Sequence, residues 1–270
     1  MKKRWWVLGA AAILAPVALI KPGKRRDLTD FTGKTYAHRG LHGPGVPENS
    51  LPAFRRAARK GVGVELDVQL TRDGVPVVFH DKSLLRMCGV DRRVCDLSYE
   101  ELKAYPLAGS SEVIPTFRQV LDVLGKTPLI CEIKTYRSHT DQTVCEKVKA
   151  LLTEYPGPSC VESFNPLTVQ WMKKHWPEKV RGQLSMDFAR DPAGQNPVVG
   201  FCLTHLLVNG LGRPDFIAYC HTDTDTIGFR LCRRLFRPAV FAWTTRGRSE
   251  TERALKDFDG VIFEEKKQEP

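Results

Sequence analysis

From residue 35 onward, short apolar runs alternate with stretches in which apolar residues recur at helical spacing. Runs at 35–38, 62–68, 76–80, 128–133, 159–164, 180–185, 205–208, 215–219, 239–243 and 260–263 predict strands. Between them, 51–60, 116–124, 140–154, 166–175, 224–235 and 249–257 predict helices. Pro166 stands where its helix begins, a position at which a missing N–H costs nothing. Ser98 followed by Glu101 predicts a short helix closed by a capping box. Short strands alternating with helices along most of the chain predict a parallel sheet, as an α/β TIM-type (β/α)8 barrel with one or two extra strands. A doubly wound sheet is the second choice, weakened because no Gly-x-Gly-x-x-Gly follows the first strand. Residues 186–204 fit neither period and are expected to form an irregular insertion.

The N-terminus breaks this pattern. Residues 5–20 carry no charge, and Lys2, Lys3, Arg4, Lys21, Lys24, Arg25 and Arg26 flank them. An apolar run with basic flanks and two tryptophans predicts a single N-terminal membrane helix, although about 24 Å of helix is short for a ~30 Å hydrocarbon core. A cleaved signal peptide is the rival reading; the small-residue site it needs is poorly placed, so a retained membrane anchor is preferred, on an unspecified side of the membrane. Residues 1–26 are thus read as the membrane segment, 27–34 as a linker and 35–270 as the barrel domain.

The same seven basic residues account for most of the formal net charge of +10. What remains on the body is small, and nucleic acid is excluded as a partner. The eight cysteines include no Cys-x-x-Cys, and several lie inside apolar runs, which predicts buried reduced thiols.

Polar residues fall in unusual places. His38-Arg39-Gly40 closes the first predicted strand and His80-Asp81 the third; Glu65 and Asp67 alternate in the second, Glu132 and Lys134 in the fourth. At period two, each alternating pair points to one side of its strand. At the C-terminal ends of barrel strands, all of these would reach one mouth. A buried carboxylate costs several kcal/mol unless compensated, and a divalent cation on Glu65, Asp67 and Glu132 would compensate all three. Oxygen-only ligands suit Mg²⁺ or Ca²⁺.

These residues also form an ordered series. His38-Arg39-Gly40, Pro47-Glu48-Asn49-Ser50, Glu65-Leu66-Asp67-Val68, Thr71-Arg72-Asp73-Gly74, Val77-Val78-Phe79-His80-Asp81 and Glu132-Ile133-Lys134 resemble the signature of the glycerophosphodiester phosphodiesterase family. Ile114-Pro115-Thr116-Phe117, Ser163-Phe164, Ala242-Trp243-Thr244 and Asp259-Gly260-Val261-Ile262 resemble its later positions. The resemblance implies a TIM barrel that hydrolyses a glycerophosphodiester to an alcohol and sn-glycerol 3-phosphate. It implies His38 and His80 as the acid/base pair, and Glu65, Asp67 and Glu132 as metal ligands. Arg39 and Lys134 become phosphate ligands, Glu48 and Asn49 supports of the first loop, and Trp243 a wall of the glycerol pocket. Asp81 and Asn165 are expected to be structural, and His42 a loop residue. Thr245 and Arg246 stand where the family commonly has Asn, and the last strand ends Ile262-Phe263-Glu264 instead of Thr-Asp; both departures are expected to affect substrate contacts more than core chemistry. A lysophospholipase D-like enzyme acting on lysolipid is the alternative. An inactive membrane-tethered scaffold is a further one, disfavoured because every core position is filled.

Overall fold

A computed structural model of the chain describes residues 16–24 and 26–265. Nine strands are present among them: β1 (Lys34–His38), β2 (Gly63–Leu70), β3 (Pro76–Val78), β4 (Leu129–Ile133), β5 (Ser159–Ser163), β6 (Arg181–Ser185), β7 (Phe216–Cys220), β8 (Ala239–Arg246) and β9 (Gly260–Glu264). Eight of them run parallel in the order β1-β2-β4-β5-β6-β7-β8-β9, and β9 pairs back onto β1. The sheet is therefore a closed (β/α)8 barrel, as the alternation of periods predicts.

The ninth strand departs from expectation. β3 lies antiparallel to β2, with Val68 opposite Val78 and Leu70 opposite Pro76, and stands outside the ring. Thr71 to Val75 forms a tight turn, with Val75 N–H donating to Thr71 Oγ1 and Gly74 at φ +78°. So short a connection reverses the chain; a parallel partner needs a crossover of a dozen or more residues. His80 thus reaches the mouth on a returning strand.

The helices are α1 (Leu51–Arg59), α2 (Leu85–Cys88), α3 (Tyr99–Leu102), α4 (Phe117–Leu124), α5 (Thr143–Glu154), α6 (Pro166–His175), α7 (Pro197–Thr204), α8 (Asn209–Gly212), α9 (Ile227–Phe236) and α10 (Arg248–Asp257). Ser98 and Glu101 form the predicted capping box on α3. Two expectations fail. Residues 186–204 contain α7, capped by Asn196 with Pro197 at its start. Residues 205–208 form no strand: Leu206 takes φ +57° and is buried by packing in the layer outside β7, with Ile217 and Tyr219. A four-residue apolar run has too little length to distinguish a strand from a buried turn.

The lower half of the barrel is filled by Tyr36, Ile130, Cys160, Leu184, Phe216, Phe241 and Ile262. Large rings lean over glycines that are their register partners on the neighbouring strand. A Cβ on Gly63 would stand 2.6 Å from the Tyr36 ring, and one on Gly182 would stand 2.3 Å from that of Phe216. Alternating large and small residues is how a small barrel fills its taper. Leu28 and Phe31, from the segment read as a linker, pack onto this floor, and the Tyr36 hydroxyl donates to the Phe31 carbonyl.

Among the described residues, no helix is long and apolar enough to cross a membrane. Residues 1–15 of the expected membrane segment lie outside the described residues. Within its described part, 16–20 are helical and Ile20 is buried on the outside of the barrel beside Phe229 and Cys232. The Ile20 carbonyl accepts from Asn209 Nδ2, and the Ala18 carbonyl accepts from Arg213. All eight cysteines are free.

Filling the glycine gap opposite Phe216 overpacks the barrel floor. Gly182→Ala is expected to cost about 1–3 kcal/mol in a denaturant titration; a change within experimental error would mean that the floor yields.

Candidate active site

The C-terminal strand ends bring the predicted residues together. β1 ends in His38, and Arg39 and Gly40 follow at φ +55° and +79°. A Cβ on Gly40 would meet Ala53 Cβ at 3.0 Å, so only glycine fits this left-handed position against α1. The turn aims the Arg39 N–H at Glu65 Oε2, 3.1 Å away, and brings its guanidinium onto Glu48 at 2.8 Å and Asp67 at 3.5 Å. Asn49, also left-handed at φ +53°, donates from its N–H to the Arg39 carbonyl and from Nδ2 to Asp67 Oδ2. Glu48 and Asn49 therefore hold Arg39 and Asp67 in place.

β2 and β4 pair with Asp67 opposite Glu132, so period-two alternation places Glu65, Asp67 and Glu132 on the barrel interior. Their ligand oxygens lie within 4.8 Å of one another, and all three side chains are buried. Lys134 Nζ sits 2.7 Å from Glu132 Oε1 and 3.1 Å from Asp67 Oδ1. Burial pushes Glu65 well above the usual carboxylate range, helped by Asp67, Glu132 and Glu162. Burial acts in the same direction on Asp67, but Lys134, His80 and Arg39 outweigh it and hold that group well below its usual range. Burial also raises Glu132, against the pull of Lys134. Lys134, lodged between two carboxylates, is raised despite its own burial.

Both histidines are fixed through Nδ1. His38 Nδ1 lies 2.7 Å from Glu264 Oε1, and its Nε2 is 3.9 Å from Glu65. His80 Nδ1 lies 2.7 Å from Asp81 Oδ1. An ionised carboxylate only accepts, so Nδ1–H donates in each case and Nε2 is left to exchange protons. Burial holds His38 below its ordinary pKa, partly offset by the Glu264 hydrogen bond, and Glu264 itself falls to about 2 through that bond. Asp81 is likewise held at about 2: burial opposes the shift, and the bonds to His80 and Arg86 prevail.

Four residues of the site were not singled out from the sequence as site residues. Glu264 lies at one of the two departures expected to bear on substrate contacts, yet it orients a predicted catalytic histidine. Arg86 ties Glu48 to Asp81, at 2.6 Å to each. Glu162, opposite Glu132 on β5, is 2% exposed, and its Oε2 has no hydrogen-bond partner among the described residues. A charged residue in the middle of the run Cys160-Val161-Glu162-Ser163 was a usable signal for it. Phe164 meets the Trp243 ring edge-on at 5.6 Å, and the buried Trp243 Nε1 lacks a hydrogen-bond partner among the described residues.

The charge inventory tests the fit to a metal. Among the described residues, the four buried carboxylates Glu65, Asp67, Glu132 and Glu162 face two cationic side chains, Lys134 and Arg39, the second shared with Glu48. One divalent cation would balance the excess, and an all-oxygen donor set suits a hard ion. The residues fit the group.

Comparisons with known proteins agree with this geometry. The sequence model of the glycerophosphoryl diester phosphodiesterase family matches residues 38–197, which contain every residue of the triad and both histidines. Glycerophosphodiester phosphodiesterase 1 of Rattus norvegicus is 35% identical over 154 residues, covering 51% of this chain and 44% of that protein. The match thus spans less than half the length of that relative. A glycerophosphodiester phosphodiesterase of Bacillus altitudinis is 30% identical over 206 residues, 72% of this chain and 84% of that one. An Oleispira antarctica phosphodiesterase, solved with its product sn-glycerol-3-phosphate, superposes with a TM-score of 0.68 over 86% of this chain and 93% of its own. At 24% identity it shows the shared fold. With the family signature filled in sequence and gathered in space, the chain belongs to the glycerophosphodiester phosphodiesterase family.

Proposed function

We propose that the chain hydrolyses glycerophosphodiesters to an alcohol and sn-glycerol 3-phosphate, using a divalent cation, Mg²⁺ or Ca²⁺, on Glu65, Asp67 and Glu132. The observation that carries this reading is the meeting of two carboxylate-fixed histidines with one buried oxygen-ligand triad. When bound, the cation supplies Lewis-acid polarisation of a phosphoryl oxygen and a template for the substrate. Arg39 and Lys134 neutralise charge that grows on the non-bridging oxygens. His38 Nε2, kept neutral by burial, takes the proton from the attacking hydroxyl, and His80 Nε2 gives one to the leaving alcohol oxygen as its P–O bond breaks. The attacking hydroxyl is that of the glycerol itself, so a cyclic phosphodiester forms; water then opens it, with the histidines exchanging roles. Trp243 walls the glycerol side.

We also propose that the apolar N-terminal segment holds the chain to a membrane, with its basic flanks at the headgroups. Retention of the full chain in the membrane fraction after alkaline carbonate extraction checks this, and release would count against it.

Glycerol 3-phosphate release from glycerophosphocholine, in Mg²⁺, Ca²⁺ and EDTA, tests the activity. EDTA is expected to abolish it, and His80→Ala to lower kcat by about 10²–10⁴-fold. A folded His80→Ala protein with full activity would remove His80 from the mechanism.

Because burial raises Glu65 and Glu132, their ionisation is favoured when a cation binds, which couples binding to proton release. Titration with Ca²⁺ in buffers of different ionisation enthalpy is expected to show proton release, and affinity that strengthens as pH rises. Binding indifferent to pH would mean that these carboxyls are already ionised.

His38, below its ordinary 6.5, stays unprotonated to lower pH than a free histidine, so rate is lost only as pH falls through that lowered value. The acid limb of kcat/KM is therefore expected below 6.5. Glu264→Gln removes the bond that favours the protonated ring, and the limb should move lower still. Movement to higher pH would rule out His38 as the base.

A further inference from the structure

The helices that follow barrel strands start at the mouth, and three of them start with a large apolar side chain facing water, as does α2, which follows the outer strand β3. Leu85, the first residue of α2, is 57% exposed; Leu167, the second of α6, is 36%; Val198, the second of α7, is 70%; Ile227, the first of α9, is 77%. Phe201, one turn further along α7, is 58% exposed. Single exposed apolar residues are ordinary, but repetition of one position around one rim is not, and clustered apolar exposure marks an interaction surface.

We infer that this rim docks the mouth of the barrel onto a lipid surface. Three observations favour lipid as the occupant. Exposed Lys82 and Arg230 lie three residues from Leu85 and Ile227 in sequence, and the exposed Asp225 is paired with Arg190. The rim thus mixes apolar groups with basic ones unpaired among the described residues, which suits an interface with anionic headgroups. The apolar N-terminal run enters the fold in the same sector, where Ile20 packs with Phe229 and Cys232 of α9. Burial of Ile20 leaves 15 apolar residues, 5–19, fewer than the roughly 20 that a membrane-crossing segment needs.

The rim also has a concave part. A groove of about 580 Å³ opens between α7 and α9, lined by Phe188, Pro197, Phe201, His205 and Ile227 among others. Phe188 meets Phe164 edge-on at 6.1 Å, and Phe164 meets Trp243 at 5.6 Å. An aromatic path thus joins the groove to the catalytic mouth. Building on the hydrolase reading above, a diester whose alcohol carries one hydrocarbon chain can lie with its phosphate at Arg39 and Lys134 and its chain along this path.

Hydrogen exchange of the full chain, free and bound to phosphatidylcholine vesicles containing phosphatidylglycerol, tests the docking. Bound protein is expected to show severalfold slower exchange in peptides covering 82–88, 166–170, 196–204 and 225–230, with the loops at the opposite barrel end unchanged. The triple variant Val198→Ser, Phe201→Ser, Ile227→Ser should lose that protection. It should also hydrolyse vesicle-borne lysophosphatidylcholine at least about tenfold more slowly, because three apolar side chains no longer bury in lipid, and keep the wild-type rate on soluble glycerophosphocholine. Absence of rim protection, protection of the opposite end, or an unchanged variant would overturn the inference. If the wild-type chain hydrolyses neither substrate, the hydrolase reading fails, and the exchange pattern alone decides the docking.

Discussion

The site depends on the cost of burying carboxylates inside the barrel. Glu65, Asp67, Glu132 and Glu162 lie in its upper half, nearly shielded from water, and each must be compensated there. Lys134 compensates twice, toward Asp67 and Glu132, and Arg39 compensates Asp67 while its backbone serves Glu65. Glu162 has the least support. The residual negative charge suits a divalent ion; burial, helped by the neighbouring carboxylates, raises Glu65 and Glu132, and the same carboxylates raise Lys134 against its burial.

Such compensation works only if the groups cannot move apart. Asp67 and Glu132 are held by the β2–β4 register, a ladder of five residue pairs, and Arg39 by a left-handed turn locked onto Glu48 and Asn49. Below them, rings interleaved with glycines make a rigid floor. Polar chemistry above and apolar filling below are consequences of one geometry, since inward positions on each strand alternate with outward ones along its length.

The histidines show how the same economy reaches the rim. Each engages a carboxylate through Nδ1 and leaves Nε2 for the proposed proton transfers, but the supports differ. Asp81 is the neighbour of His80 in sequence and is shared with Arg86, whereas Glu264 comes from 226 residues away, at the end of the strand that closes the barrel. Ring closure between β9 and β1 therefore positions His38 as well as completing the fold. Outward from the charged interior, the Trp243, Phe164 and Phe188 rings lead to the exposed apolar helix starts at the rim.

Much of this was legible in the sequence. Alternation in Glu65-Leu66-Asp67 and in Glu132-Ile133-Lys134 assigned the interior side chains, because peptide geometry alone sends successive residues to opposite faces. Alternation of strand and helix periods assigned the barrel. Three things were not legible. The direction of β3 followed from the tightness of the turn after Thr71, which apolar patterning does not encode. The run 205–208 and the end of the N-terminal apolar stretch looked like a strand and a membrane segment, since a buried apolar residue carries the same signal wherever it is buried. The role of Glu264 was invisible because nothing local distinguishes an exposed strand-end carboxylate from one that will hold a histidine. The sequence by itself determined which residues face inward and what chemistry they carry, through short-range backbone geometry. Only the tertiary structure decided which of them meet, because those contacts, and the low dielectric that gives them their strength, exist only once the barrel closes.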